Sequence, residues 1–452
     1  MPLHETRTTH YLSTVTSIVV GVAVATLGSI MAGALFLHPL TEVAPYDMTD
    51  NLISYEGGFI RRGLLGAVLY AIPFLNTWAR TQFALKLLFA SNFALLFWMV
   101  GLALHRYVRS VSVSLLILLQ PFFFGFLVMT AEWTRKDALL MSCFCLSLGA
   151  LREDTGTGRA PRRRVWPFLS ANLVSIAAIL SHEMYGVAML PVLIVAAASQ
   201  DHAAGRSAIH SLRRAIMGFS PSIATFILLS MFVGDAVVGA RILDAWRAKG
   251  VALESPGALR FLVDQNVYEG LNDGIGLARD PKTRLGLLYW AFIAMWSAVV
   301  LVLSSSVGPA HEDVRSTRGH MLNDRSVAES AIVVALTAAS FAPLFLVAID
   351  WGRWIALWLM CSAVLVFSSW RNPIVSLLRS LLAKIIVIPS LRIPTLQRSW
   401  GLCLLNLSIF LPLPCCMHEL CCDATFVQQW SLAYRSGRVV VTLLASLGVW
   451  RH

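Results

Sequence analysis

The sequence predicts an all-α, multi-pass transmembrane bundle of about 11–13 spans with short interfacial helices. Three observations lead there. Of 452 residues, 57% are hydrophobic and only 13% are charged, about half the charged share of an ordinary soluble protein. Mean hydropathy is +0.69. Apolar runs recur to the end of the chain, separated by short polar breaks. A soluble enzyme, a disordered chain and a disulfide-knotted secreted domain are excluded together.

Taken in order, residues 1–10 are polar, and an apolar run from Val15 to Leu37 follows. That run is longer than the ~7–15 residues of a signal-peptide core and long enough to cross ~30 Å of hydrocarbon. It reads as a retained first span, with the N-terminus cytoplasmic. Spans are expected at 13–38, 82–105, 110–129, 138–151, 167–181, 187–200, 215–238, 286–306, 330–349, 354–370, 373–389, 400–417 and 437–449. Each must be helical, because backbone groups find no water in lipid. Segments 138–151 and 187–200 are short for crossings and also fit re-entrant helices.

The whole chain, 1–452, reads as one integral membrane domain with three departures from the pattern. Residues 39–81 form a first external loop whose part 59–77 is an interfacial helix. Residues 241–285 form a long external loop with seven basic and six acidic groups, in which 257–271 is a candidate surface helix. Residues 390–452 are atypical, with Cys, Leu and Pro clusters. Cys415, Cys416, Cys421 and Cys422 lie there as a pair of Cys-Cys steps, open to metal binding, a disulfide or a juxtamembrane role.

Net charge is +11, and arginine supplies 31 of the 36 basic groups. They sit in short loops rather than on a soluble face, so no nucleic-acid partner is expected. Arg-rich loops mark the cytoplasmic side: Arg152 to Arg164, Arg106/Arg109, Arg206/Arg213/Arg214 and Arg315/Arg318/Arg325. If all are inside, the breaks at 39–62, 130–137, 181–186, 239–285 and 350–353 share the opposite face. Those breaks hold most of the chain's carboxylates.

Four of these breaks carry chemistry. The first holds Asp47, Asp50 and Glu56, the Gly57-Gly58 turn, and then Arg61-Arg62. An outside arginine pair suits a phosphate held bidentately; the alternative is snorkelling toward lipid headgroups. The second is Glu132-Trp133-Thr134-Arg135-Lys136-Asp137, a charged tip that also fits an interfacial anchor with local ion pairs. The third is Ser181-His182-Glu183-Met184-Tyr185-Gly186. The residue four after His182 is glycine, so the zinc-protease pattern fails; a His-Glu pair between apolar runs remains expensive. The fourth is Asp350-Trp351-Gly352-Arg353-Trp354, a functional pair or a structural salt bridge. Lys86 is expected to snorkel. Phosphate-binding Gly-x4-Gly-Lys and dinucleotide motifs are absent from the sequence, which gives nucleotide chemistry no support.

A long first span, an acidic external loop with Asp47, Asp50 and Glu56, an interfacial segment, and then many spans resemble the GT-C superfamily of integral-membrane glycosyltransferases. The segments Gly57 to Gly66 and Asp350 to Trp354 also look like parts of bacterial membrane proteins associated with surface polysaccharides. The resemblance implies a polyprenyl-phosphate-linked sugar as donor at the external face of a bacterial inner membrane. It implies an acidic residue of the first loop, Asp47, Asp50 or Glu56, as catalytic base or metal ligand, and leaves a divalent cation open. Arg61, Arg62 and Arg353 are expected phosphate binders by their chemistry. Arg135, Lys136, His182, Glu183 and Asp350 complete the expected substrate-binding set. The adjacent acidic pair common in the superfamily is replaced here by Asp47 and Asp50, two residues apart. The competing readings are a transporter or flippase for an anionic lipid or sugar, a metal-independent polysaccharide polymerase, and a structural protein.

Overall fold

A computed structural model describes residues 46–107, 136–152, 165–232, 234–251, 281–305, 318–347 and 351–382, with isolated positions elsewhere. The first expected span, the run 110–129, most of 257–271 and the segment 390–452 lie outside the described residues.

The described chain is helical throughout, without a strand, and forms an all-α membrane bundle. In chain order the helices are α1 (Tyr46–Asp50), α2 (Gly63–Ala71), α3 (Trp78–Tyr107), α4 (Asp137–Leu151) and α5 (Val165–Ser181). A π-helical turn (Tyr185–Met189) leads into α6 (Leu190–Ala203). Then come α7 (Ala208–Gly218), α8 (Ser220–Met231), α9 (Ala236–Ala248), α10 (Pro281–Ser304), α11 (Arg318–Val347), α12 (Trp351–Val366) and α13 (Arg371–Leu382). Among the described residues three helices are long and apolar enough to cross a membrane: Trp78–Gly101, Tyr185–Ala203 and Val327–Leu346. Two bent pairs, α7 with α8 and α12 with α13, raise the number to five if each is one span.

The expected span 215–238 is not one straight helix. Ser220-Pro221 breaks it at Phe219, and α7 and α8 meet at 58°. Proline has no N–H to give the Met217 carbonyl, so the Ser220 hydroxyl donates to it at 2.8 Å. The carbonyl of Gly218 takes a bond from Asn172 Nδ2 at 2.7 Å, while Asn172 Oδ1 accepts from Ser222 Oγ at 2.6 Å. One buried amide thus satisfies both sides of the break. The expected spans 354–370 and 373–389 likewise meet at 98°. The interfacial helix expected over 59–77 forms only as α2. Its residues Leu65, Gly66 and Leu69 are buried, and Val68 faces out. A Cβ at Gly66 would lie 2.0 Å from the Ile53 carbonyl, so this close approach admits only glycine.

Lys86 does not snorkel. It is 3% exposed on α3, inside the bundle. The stretch 241–248, expected as loop, is the second half of α9. Asp235 caps that helix through its side chain, accepting from Val238 N at 2.8 Å.

Two apolar cores result. The larger joins α4, α5, α6, α11, α12 and α13. The smaller packs Met48, Leu52, Ile53 and Ile60 against α2, the start of α3, and Ile242 and Trp246 of α9. Trp246 ties the two parts of this smaller core by donating to the Leu52 carbonyl at 2.7 Å. Lys249 closes α2 by reaching the carbonyls of Tyr70 and Ile72, its ammonium 4.7 Å above the Tyr70 ring. A cation at the last carbonyls of a helix is favourable against its dipole.

Candidate functional site

The ionic side chains gather where the two cores meet. Asp50 ends α1, and Arg61 and Arg62 precede α2. Lys136 and Asp137 begin α4, His182 and Glu183 follow α5, and Arg353 lies in the first turn of α12. The start of α4, the end of α5 and the start of α12 are therefore at one end of the bundle. Four of the five breaks expected to share a face, 39–62, 130–137, 181–186 and 350–353, contribute described residues to this gathering, while the ion pair of the fifth, Asp244 with Arg247 in 239–285, stands apart from it.

Arg62 is the hub. Its Nε and Nη2 lie 2.8 and 2.7 Å from the two oxygens of Glu183, a bidentate pair bridging 121 residues. Its Nη1 is 3.4 Å from Asp50 Oδ1. Lys136 Nζ lies 3.2 Å from the other Asp50 oxygen, donates to the Asp50 carbonyl at 2.8 Å and reaches the Arg62 carbonyl at 3.4 Å. Arg61 stands further off, 3.9 Å from Glu183. Next to this set, Arg353 grips Asp137 bidentately at 2.8 and 2.7 Å, with its guanidinium 4.8 Å over the Trp354 ring.

The backbone bends to make this possible. Arg62 has φ 66°, the left-handed region, and is the only non-glycine residue with positive φ among the described residues. Such a conformation costs about 1–3 kcal/mol and persists only where the surroundings impose it. Glu183 is aimed by a second irregularity. After α5 the chain widens into the π-helical turn, and Ser340 Oγ caps the Ala188 carbonyl there at 2.6 Å. π-turns inside helices cluster at functional positions.

Burial and charge set the protonation states. Burial alone would raise the Asp50 pKa, but Lys136 and Arg62 outweigh it and hold the carboxyl well below its usual range. Glu183 is lowered in the same way, burial being overcome by Arg62. His182 goes the other way: burial, with Arg62 beside it, drives its pKa down to about 3. Its Nδ1 accepts from Met184 N at 3.3 Å. The ring is therefore neutral, with its proton on Nε2. Among the described residues, four cations stand beside three carboxylates. Lys136 is fully enclosed, whereas the Asp50 and Glu183 side chains remain 16% and 21% exposed. Arg62, at 24%, and Arg61, at 18%, are open to the same degree, so the cluster is reached through its arginines and carboxylates alike.

Of the residues expected from sequence, Asp50, Arg61, Arg62, Lys136, His182, Glu183 and Arg353 come together. Glu56 does not: it is exposed on the turn before Gly58 (φ 133°) and acts electrostatically on Lys249. Arg135, Asp350 and the side chain of Asp47 lie outside the described residues. Asp137 joins them although it is not in the expected binding set, local ion pairs being one of the two readings of its tip. It is held bidentately by Arg353, 216 residues away. Its place at the head of a short apolar helix was the available signal. Among the described residues no group of three or more His, Cys, Asp or Glu side chains is placed to hold a metal. Asp50 and Glu183, the nearest oxygen donors, are already engaged by cations, so this set does not fit a divalent ion as arranged.

Searches for family models, for similar curated proteins and for similar solved structures find no match to this chain.

Proposed function

We propose that the protein is a membrane-embedded glycosyltransferase that moves a sugar from a polyprenyl-phosphate donor to an acceptor hydroxyl at the external face of a bacterial inner membrane. The observation that carries this reading is the Asp50–Arg62–Glu183–Lys136 cluster, drawn from three distant breaks to one end of the bundle. A lipid-borne phosphate at that depth meets two arginines and a lysine, the groups that bind phosphate best. Arg62 is held by the Glu183 and Asp50 carboxylates, so an arriving anion has an exchange to make there. Seated on Arg62 and Arg61, a phosphate takes over part of the charge that now holds Asp50 low. The Asp50 carboxylate then recovers proton affinity beside the bound donor.

In the transfer itself the acceptor oxygen attacks the sugar's anomeric carbon. The bond from that carbon to the phosphate oxygen breaks, and its electron pair leaves with the polyprenyl phosphate. The hydroxyl proton passes to Asp50 as general base. Arg62, Lys136 and Arg61 stabilise the charge growing on the leaving phosphate. No step is routed through a metal.

The transporter reading expects charge at broken helices near the midplane. Here the breaks at Phe219 and at Phe367 to Trp370 lie away from the cluster, which favours an enzyme. The test is Asp50→Asn in membranes supplied with a polyprenyl-phosphate sugar. Transfer is expected to fall at least a hundredfold, with insertion and donor binding retained. Transfer at the unaltered rate removes the proposed base.

A further inference from the structure

The opposite end of the bundle holds a small open cleft between the end of α4 and α5, α6 and α7. It shares no residue with the ionic cluster and does not depend on the glycosyltransferase reading. Leu151 and Phe168 give it an apolar wall, and Asp201, Ser211 and Arg214 give it a polar one. Two arginines serve one carboxylate there: Arg206 makes a short contact with Asp201, and Arg214 lies 3.3 Å from the same oxygen. Ser211 is completely buried, and its hydroxyl has no hydrogen-bond partner among the described residues. A buried hydroxyl without a partner carries a desolvation cost of about 1–3 kcal/mol, which a ligand oxygen would remove.

The surroundings identify the carrier of that oxygen. Trp166, Leu169 and Leu173 of α5 and Ile216 and Met217 of α7 are large apolar side chains exposed beside the cleft. In an integral membrane protein such faces meet acyl chains, and Arg214 stands beside them on the polar wall of the cleft. We infer that this cleft binds the headgroup of an anionic phospholipid, its phosphate meeting Arg214 and the Ser211 hydroxyl and its chains running along α5 and α7. The helix break at Phe219 belongs to the same arrangement, because it tilts α7 away from α8 and leaves its arginines beside the cleft.

Native mass spectrometry of the full chain, purified with mixed phosphatidylglycerol and phosphatidylcholine, tests this. The wild type is expected to retain one phosphatidylglycerol through delipidation. Arg214→Gln and Ser211→Ala should each weaken that retention by about tenfold. Ser211→Ala removes no side-chain hydrogen bond among the described residues, so its effect reads the ligand rather than the fold. Arg213→Gln removes the same charge from an exposed position outside the cleft and should leave retention unchanged. Equal retention of phosphatidylcholine, displacement of the lipid by millimolar inorganic phosphate, or unchanged retention in Ser211→Ala and Arg214→Gln would each overturn the assignment.

Discussion

One helix, running from the π-turn through α6, ends in a carboxylate at each side. Glu183 precedes it and Asp201 closes it, separated by roughly 25 Å at helical rise. Each carboxylate is served by two arginines, yet the two ends are built differently. Asp201 takes Arg206 and Arg214, five and thirteen residues away, and both arginines are about one-third exposed. Glu183 takes Arg61 and Arg62 from a loop more than 120 residues earlier, at the cost of a left-handed Arg62 and a π-turn. The Asp201 end is what local spacing gives without effort. The Glu183 end exists only because the whole fold closes on it, and strain kept against a local alternative marks a place where geometry matters.

The largest expected difference concerns the pair beside Glu183. Asp137 and Arg353 are bidentate and almost wholly buried, whereas Arg379 and Glu329 meet at 3.5 Å with the arginine one-third exposed. Removing one partner of a buried pair costs about 3–5 kcal/mol, because the other charge is stranded. Asp137→Asn and Arg353→Met should therefore lower thermal stability severely, and the double variant should recover much of the loss. Arg379→Met should shift it by less than about 1 kcal/mol. Melting curves in detergent decide this; equal shifts for the Asp137 and Arg379 variants would mean that the two ends are energetically alike.

The two carboxylates themselves come next. Glu183→Gln strips the bidentate partner from Arg62 and is expected to cost about 2–3 kcal/mol. Asp201→Asn keeps its arginines near solvent and should cost about 1 kcal/mol or less. Arg62→Gly adds a sharper measure. Glycine relaxes the left-handed backbone at position 62, returning some of what the lost guanidinium costs. Arg62→Ala, which keeps the strain, should be the less stable of the two by about 1 kcal/mol.

How much of this was legible follows the same division. The bundle, its helix type and the shared face of the charged breaks could be read from composition and Arg-rich loops. These depend on local hydropathy and on counting crossings. The break at Phe219 was marked by Ser220-Pro221, inside a run whose hydropathy hid it. The choice of partner was not legible: nothing in Glu132 to Asp137 tells that Lys136 turns to Asp50 and Asp137 to Arg353. Pairing across 86 and 216 residues is fixed by how two cores meet. Lys86 failed for the same reason. Snorkelling is a property of an isolated helix, and Lys86 lies on the buried side of α3, while Phe83, Leu87 and Trp98 hold its exposed side.

The smallest effect is also the most diagnostic of burial at the Glu183 end. His182 faces Arg62, Glu183, Asp50 and Lys136, and its pKa falls from 6.5 to about 3 in the folded chain. The unfolded chain therefore binds a proton below pH 6.5 that the folded chain refuses. Stability from the neutral ring is full above pH 6.5 and is lost as pH falls toward 3. Asp50 and Glu183, whose pKa values are depressed, lose their contributions only below the ordinary carboxylate range, near 3.8 and 4.5. The window from pH 6.5 to 4.5 thus isolates the histidine. Across it the wild type should lose on the order of 1 kcal/mol per pH unit relative to His182→Gln, which cannot be protonated there. A wild type that kept pace with His182→Gln across that window would mean that the ring is not held buried among Arg62, Glu183, Asp50 and Lys136.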